Sequence, residues 1–391
     1  MISIIKGCNV YAPKHLGIKD VVIAGGKIEG IYENLNIKIA PIDVEVIDGR
    51  NKLLFPGFID GHVHIIGAGG EGGYNTRTPE MPLSSLIKAG ITTVVGCIGT
   101  DGTCRSMKSL IAKAKALKQD GMSAYCFTGS YELPVKTVTD SIKSDLMLIE
   151  EIIGIGEIAI SDHRSSQQTF EVFANAVAES RVGGLLSNKC GIVNIHLGEG
   201  NRKLNYLFEL LDKTEIPETQ LLPTHINRNG KLFKEGLEYV KRGGFIDLTT
   251  SCDLENLGEG ELRAGEGLKK YLDEKLPIDH ITFTSDGNGS MEKFDKDGKL
   301  EGYEICSVST LYREIKYAIT EQNVPIEDAI KVVTSNVAAI MKLANKGAIE
   351  SAKDADLVIV DEKSLDIEMV FANGKKMMEN GEVIVKGFFE K

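Results

Sequence analysis

Paired cysteines and long apolar runs are scarce in this chain. The seven cysteines are odd in number and scattered over 391 residues, and none forms a C-x-x-C pair. A disulfide framework, and with it a secreted and disulfide-stabilised protein, is therefore not expected. No apolar stretch approaches the roughly 20 residues that a membrane-spanning helix needs. These absences favour a protein of a reducing compartment with no membrane partner.

Basic clusters are equally scarce. The formal net charge is -11 and the isoelectric point is near 5.3. Because no Lys/Arg block and no basic aromatic stripe is present, nucleic acid is not expected as a partner. The opening stretch MISIIKGCNVYAPK lacks the apolar run of a signal peptide, so we expect a cytoplasmic protein. The composition, 42% hydrophobic and 26% charged, is typical of a globular chain.

Eight short apolar runs rich in β-branched residues alternate with longer helical patterns. This alternation predicts an α/β fold, a parallel (β/α)₈ barrel, over residues 56–345. The eight runs are LLFPGFIDGHVHI, ITTVVGCIG, AYCFTG, EIAIS, IVNIHLG, LLPTHIN, FIDLTTS and ITFTSDG.

The two ends of the chain differ from its middle. Residues 1–55 and 346–391 consist of short strand-like runs with glycine-containing turns, such as VVIAGGKIEGIYE and EMVFANGKKMMENGEVIVKG. Neither end is long enough for a full sheet of its own. We therefore predict that both ends pair into one small β-sandwich domain.

Histidines and carboxylates follow several of the predicted strands. Asp60, His62 and His64 alternate along the first strand, so their side chains share one face. Function in such barrels gathers at the carboxyl ends of strands, and His and carboxylate ligands suit Zn²⁺ or a similar divalent ion. A single strand-end histidine is often structural, but a set of four with an aspartate predicts a metal centre. Its further members are His196, His225 and Asp286.

The remaining polar residues of these strand ends have weaker interpretations. Asp60 is expected outside the ligand set, accepting a hydrogen bond from a ligand histidine. His15 and His280 are expected at the surface, and His163 is not expected to be a ligand.

The motif FPGFIDGHVH, followed by single histidines on later strands and by TSDGNGS, resembles the amidohydrolase superfamily. Within it, the stretches GGEGGYNTRTPE, VVGCIGTDG, ISDHRSS, ESRVGGLL, LPTHINRN and SDGNGS are similar to the bacterial isoaspartyl (β-aspartyl) dipeptidases. The likeness covers nearly the whole chain. The H-x-H motif is generic to the superfamily, whereas the combination of THINRN, ISDHRS and SDGNGS is more specific.

The resemblance implies two divalent metal ions, with zinc as the expected metal. One ion would be held by His62, His64 and Asp286, and the other by His196 and His225. A bridging anion and a bridging hydroxide would join them.

The family usually supplies the bridging anion as a carbamylated lysine, and here the matching position is Glu157. A carboxylate carries one charge on two oxygens, so Glu157 could bridge two cations although it is shorter. The alternative is that Glu157 is an ordinary strand residue and one metal binds. Burying an unpaired carboxylate is costly, which favours the bridge.

The implied reaction is hydrolysis of β-aspartyl dipeptides by the bridging hydroxide, with Asp286 as general acid and base. Arg164 and Arg228 would bind the two substrate carboxylates. Glu71, in a glycine-rich loop that could act as a lid, would bind the amine. Tyr131 would donate a hydrogen bond to the carbonyl oxygen. Further matching substrate positions are Gly69, Thr100 and Ser290. The alternatives are that the two arginines form structural ion pairs, that Tyr131 is an aromatic residue at the rim, and that Thr100 and Ser290 are turn residues.

Two other classes of function stay open at this point. One is another amidohydrolase reaction, cyclic-amide opening or N-acyl amino acid deacylation, whose substrates do not need two arginines and an acidic loop. The other is a non-catalytic scaffold, which would be expected to lose metal ligands. Because relatives of this type assemble, a homo-oligomer is expected.

Overall fold

Strands and helices alternate along most of the chain, as the apolar pattern predicts. The computed structural model describes residues 2–36, 44–252, 254, 257–258, 260–294 and 299–391. The strands are β1 Ile2–Tyr11, β2 His15–Ala24, β3 Lys27–Tyr32, β4 Val44–Asp48, β5 Lys52–Pro56, β6 Phe58–Val63, β7 Ile91–Gly96, β8 Ser123–Thr128, β9 Ile152–Ile160, β10 Ile192–Leu197, β11 Leu221–Thr224, β12 Ile246–Thr249, β13 Ile281–Thr284, β14 Ser290–Phe294, β15 Leu300–Ile305, β16 Leu357–Asp361, β17 Ile367–Ala372, β18 Lys375–Glu379 and β19 Glu382–Val383. The α-helices are α1 Leu83–Lys88, α2 Met107–Asp120, α3 Ile142–Leu148, α4 Phe170–Ser187, α5 Asn205–Lys213, α6 Gly230–Lys241, α7 Ala264–Asp273, α8 Thr310–Thr320, α9 Ile326–Lys331 and α10 Ser335–Ile340.

The strands β6 to β11 form one parallel sheet in chain order. β12 and β13 form a parallel pair, and a single parallel bridge joins Val63 of β6 to Gly287, just after β13. Every residue of β7 and β10 is buried, as expected for parallel strands that are covered on both faces. The mixed α/β class and its parallel sheet are thereby confirmed.

The strand β9 begins five residues before the run EIAIS that predicts it. Its first half, IIGIG, contains two glycines, which in sequence resemble a turn. The structure gives them another reason. A Cβ on Gly154 would lie 2.3 Å from the backbone oxygen of Ile192, and one on Gly156 would lie 2.8 Å from that of Asn194. Glycine lets β9 run close beside β10, and this fixes where Glu157 stands.

The two ends of the chain share one sheet. Its order is β19-β18-β17-β16-β5-β1-β2-β3, and β4 pairs with β1. The two ends meet where β5 and β16 pair antiparallel, with Phe55 opposite Val358. The run LLFPGFIDGHVHI is consequently divided between two sheets at Gly57, whose N–H donates to the backbone oxygen of Asp356 at 2.7 Å. The predicted domain limits stay a prediction, and residues 1 and 37–43 of that domain lie outside the described residues.

The helix α2 is capped at both ends. Ser106 precedes it, and its Oγ accepts from the N–H of Ser109, while Gly121 follows it with a φ of 113°. Only glycine adopts that backbone region freely. None of the helices in the described ranges is long and apolar enough to cross a membrane.

A buried lysine ties the terminal sheet to the segment that precedes β16. Lys346 is 5% exposed. Its Nζ donates to Asp356 at 2.6 Å and to Asn373 at 3.1 Å, and it lies 2.8 Å from Asp354. The backbone oxygen of Asp356 in turn accepts from Gly57. The charge of Lys346 therefore holds two carboxylates at the point where the chain passes between the sheets.

We expect Lys346→Met to destabilise the protein by about 3–5 kcal/mol, because it leaves the buried Asp356 without a cation. Urea denaturation of both variants measures this cost. Lys316→Met is the matched control. It removes a surface pair with Asp366 and should change the free energy of unfolding by less than about 1 kcal/mol. Equal stability of the two variants would contradict the importance of this buried contact.

Candidate metal centre

His62 of β6 and His64, just after this strand, are buried at the carboxyl end of the parallel sheet. His62 is fully buried, and neither of its ring nitrogens has a hydrogen-bond partner among the described residues. Its Nε2 lies 3.4 Å from Oε2 of Glu157 and 3.6 Å from Oδ1 of Asp286. His64 Nε2 lies 3.0 Å from the same Asp286 oxygen. Both rings thus face the same two carboxylates.

Glu157 stands between two pairs of histidines. Its Oε1 lies 2.7 Å from His196 Nδ1 and 3.3 Å from His225 Nε2. Its Oε2 lies 3.4 Å from His62 Nε2 and 3.8 Å from His64 Nε2. Burial disfavours the charged form, but His62 and His196 hold the pKa of Glu157 well below its usual range. Each carboxylate oxygen faces one pair of imidazoles.

Asp286 follows β13 and is the more accessible acid of the centre. Its side chain is 22% exposed, whereas that of Glu157 is 1% exposed. Its backbone is left-handed, with a φ of 53°, a conformation that persists in a non-glycine residue when its surroundings fix it. Burial favours the neutral acid, but the hydrogen bond with His64 and the nearby histidines hold the pKa of Asp286 at about 2.

The donor set fits divalent metal ions. Among the described residues, two groups each have all their ligand atoms within 4.8 Å of one another. The first group is His62, His64, Cys97 and Glu157, and the second is Glu157, His196 and His225. Buried imidazole nitrogens and a carboxylate oxygen without partners are costly unless something binds them. Burial also lowers the pKa of His225 to about 3, which keeps this ring in the neutral form that coordinates a metal.

Five of the six metal ligands predicted from sequence belong to these two groups, and Asp286 lies beside them, with its Oδ1 3.0 Å from His64 Nε2. Cys97 belongs to the first group, although the sequence analysis did not predict it. Its position after the apolar β7 predicts a structural thiol, yet its Sγ lies 3.6 Å from His64 Nδ1. The available signal was its place at a strand end, directly beside β6.

Asp162 was also missed by the sequence reasoning. Its Oδ2 lies 2.9 Å from His196 Nε2 and accepts from Arg164 Nη2 at 2.8 Å. His196 Nδ1 is thereby left facing Glu157. The motif ISDHRS contains Asp162, but its sequence does not reveal that the side chain turns towards the next strand.

Asp60 does not make the predicted bond to a histidine ring. Its Oδ1 accepts from the backbone N–H groups of His62 and Ser285 at 3.3 Å and 3.2 Å. Its Oδ2 has no partner in the described residues. Burial raises the pKa of Asp60 to about 7. The side chain therefore joins the backbones of the first and last parallel strands.

The other three histidines lie outside the cluster. His163 has a side chain that is 91% exposed. His15 is exposed and bonds Asn9 at 2.7 Å, while His280 is partly buried against the backbone oxygen of Gly244.

Several predicted substrate residues line one side of the centre. Thr100 Oγ1 donates to Glu71 at 2.7 Å, and Arg164 Nη1 lies 3.6 Å from the same carboxylate. The Arg164 guanidinium also lies 5.5 Å from the ring centroid of Tyr131. The Tyr131 hydroxyl is 2.8 Å from His196 Nδ1. These side chains connect the glycine loop to the metal-ligand cluster.

Three further predicted substrate positions are Arg228, Gly69 and Ser290. Arg228 Nη1 donates to the backbone oxygen of Leu197 at 3.0 Å. Gly69 has a φ of 71°, and a Cβ there would lie 3.0 Å from the Cβ of Ser290. A side chain at Gly69 would therefore be strained and would press on Ser290.

The amidohydrolase family model matches residues 53–387. A solved β-aspartyl dipeptidase from Fervidobacterium islandicum AW-1, in complex with β-Asp-Leu, is 45% identical, with a TM-score of 0.92 over 98% of this chain and 97% of that chain. A deacetylase from Brucella anthropi is 25% identical over 89% of this chain and 80% of its own length. A dihydroorotase from Fusobacterium nucleatum is 22% identical over 93% of this chain and 90% of its own length.

Asp162→Asn is expected to weaken zinc binding by about 10- to 100-fold, because outer partners of ligand histidines fix their orientation and basicity. Titration of metal-depleted protein against a competing chelator measures the affinity. Asp273→Asn is the control, since Asp273 pairs with the surface residue Lys269 within its own helix. An unchanged affinity in Asp162→Asn would show that His196 does not need this carboxylate.

Proposed function

The chain belongs to the amidohydrolase family, and from this premise we propose that it is a metal-dependent dipeptidase that hydrolyses β-aspartyl (isoaspartyl) peptide bonds. The resemblance read from the sequence is thereby confirmed. The observation that carries the substrate is the 45% identity, over 98% of the chain, to a β-aspartyl dipeptidase in complex with β-Asp-Leu. The deacetylase and the dihydroorotase are only 25% and 22% identical and do not decide the substrate.

The proposed architecture is a closed (β/α)₈ barrel with a β-sandwich domain. The bridge from Val63 to Gly287 supports closure between the first and last parallel strands. A hydrogen bond of 2.6 Å from Thr224 to Asp247 links β11 to β12. The shared sheet of the two ends supports one domain built from residues 1–55 and 346–391. Assembly into a homo-oligomer and a cytoplasmic location stay predictions.

The proposed centre holds two divalent ions, with zinc as the expected metal. His62, His64 and Asp286 would hold one ion, His196 and His225 the other. Glu157 would bridge them in place of the family's carbamylated lysine. Support comes from the two Glu157 oxygens, each of which faces one histidine pair. When bound, such ions lower the pKa of water towards neutrality and polarise a carbonyl group.

Asp286 is the proposed general acid and base. It is the carboxylate of the centre that reaches the accessible side, and its low pKa leaves it ionised. It would take a proton from the attacking water and deliver it to the leaving amine. Tyr131 would donate a hydrogen bond to the scissile carbonyl oxygen as negative charge develops.

Recognition of the dipeptide is assigned to two arginines and one glutamate. A β-aspartyl dipeptide carries two carboxylates and one amine. Arg164 and Arg228 would bind the carboxylates, since guanidinium groups match them in charge and geometry. Glu71 would bind the amine, and Thr100 positions it by donating a hydrogen bond. Gly69 and Ser290 would contact the substrate from the loop side.

We expect the purified protein to contain two metal ions per chain and to cleave β-Asp-Leu but not α-Asp-Leu. Metal analysis and a hydrolysis assay on the same sample test this. A cyclic amide and an N-acetyl amino acid serve as comparison substrates. If the protein binds two ions and cleaves only a comparison substrate, it is a hydrolase but the β-aspartyl assignment is wrong. Absence of metal and of all cleavage would favour a scaffold.

Arg228→Met is expected to lower kcat/KM for β-Asp-Leu by about 10- to 150-fold, since a hydrogen bond to a charged group contributes about 1.5–3 kcal/mol. Steady-state kinetics measure the loss. The control is Arg242→Met, which removes a surface pair with Asp212 and should leave kcat/KM unchanged. The same assay on β-Asp-Leu whose C-terminal carboxylate is converted to an amide shows which carboxylate Arg228 binds. If Arg228 binds the C-terminal carboxylate, Arg228→Met should lower kcat/KM for the amide little relative to wild type. Unchanged kinetics on both substrates would contradict the role.

A further inference from the structure

Cys97 lies inside the metal-ligand cluster and not merely near it. It directly follows β7, and its N–H donates to the backbone oxygen of Val63 at 3.1 Å, between His62 and His64. The residue is fully buried. Strand pairing therefore brings the thiol beside His62 and His64.

The atoms around this thiol form a set of four metal donors. The ligand atoms of Cys97, His62, His64 and Glu157 all lie within 4.8 Å of one another. Three of the surrounding atoms, both ring nitrogens of His62 and Oε2 of Glu157, are buried without a hydrogen-bond partner. A cation in this group can bind one ring nitrogen of His62 and Oε2 of Glu157 together, which a single thiol hydrogen cannot do. These sulfur, nitrogen and oxygen donors, joined by the Asp286 oxygen of the proposed centre, are ligand types that zinc takes.

Three other thiols have a different environment. The buried Cys8 and Cys126 lie 3.2 Å and 3.8 Å from backbone oxygens of Lys52 and Leu110, and the partly buried Cys190 lies 2.9 Å from that of Ile153. The neighbour of Cys97 is instead a histidine ring. A thiol that donates to a carbonyl stays protonated, while one facing imidazoles and an unpartnered carboxylate is placed for coordination.

We propose that the thiolate of Cys97 is a ligand of the metal ion bound at His62 and His64, in addition to Glu157. This rests on the metal centre of the proposed function. Binding replaces the S–H bond by a sulfur–metal bond, and the proton leaves to solvent. A soft sulfur ligand would make this position prefer zinc or cobalt over magnesium or manganese.

The test is the spectrum of the cobalt-substituted holoprotein. Wild type and the matched control Cys126→Ser should show a near-ultraviolet thiolate-to-cobalt charge-transfer band, and Cys97→Ser should lack it. The zinc affinity of Cys97→Ser should fall by more than the roughly 10- to 100-fold that is typical of losing an outer partner. A thiol that only hydrogen-bonds His64 gives no such band.

The ligand role would be overturned if wild type binds cobalt without showing the band, or if the band persists in Cys97→Ser. Either result would leave the proposed function intact. Failure of wild type to bind any metal would overturn both. If Cys97→Ser does not fold, X-ray absorption of the zinc-loaded wild type decides. A zinc–sulfur distance of about 2.3 Å is expected, and its absence would overturn the ligand role.

Discussion

The burial of one negative charge governs the centre of this protein. Glu157 is 1% exposed, and an isolated carboxylate in such a place is strongly disfavoured unless cations or hydrogen bonds compensate it. Four histidines surround it, and two ring nitrogens of one of them have no partner. The glycines of β9 let this strand lie against β10, so that Glu157 and His196 come within 2.7 Å. The local packing and the histidine positions thus centre on the same carboxylate.

Much of this arrangement follows from strand periodicity. Because side chains alternate along a strand, the H-x-H spacing places His62 and His64 on one face. Because parallel strands end at the same edge, His196, His225 and Asp286 come to the same region although they are far apart in the chain. Apolar runs bounded by polar residues are sufficient to locate these ends. The structure places the predicted ligands together for this reason.

Contacts that depend on neighbouring strands were not predictable. Cys97 occurs in the apolar run ITTVVGCIG, and nothing in that run distinguishes a structural thiol from one that faces two histidines. Asp162 turns towards His196 because of the loop after β9, whose backbone the sequence pattern does not define. The division of LLFPGFIDGHVHI at Gly57 depends on pairing with β16, about 300 residues later. Each missed feature depends on strand pairing or on a loop conformation that the local sequence pattern does not define.

The contact between His64 and Asp286 spans 222 residues of sequence, and it has a consequence for biosynthesis. A ribosome releases the chain from its N-terminus, so the first histidines emerge long before the last carboxylate. Closing so large a loop carries an entropy cost that local structure must first offset. The parallel strands between them therefore have to pair before the ligand set is complete. Loading of the proposed metal centre would therefore follow folding of the chain.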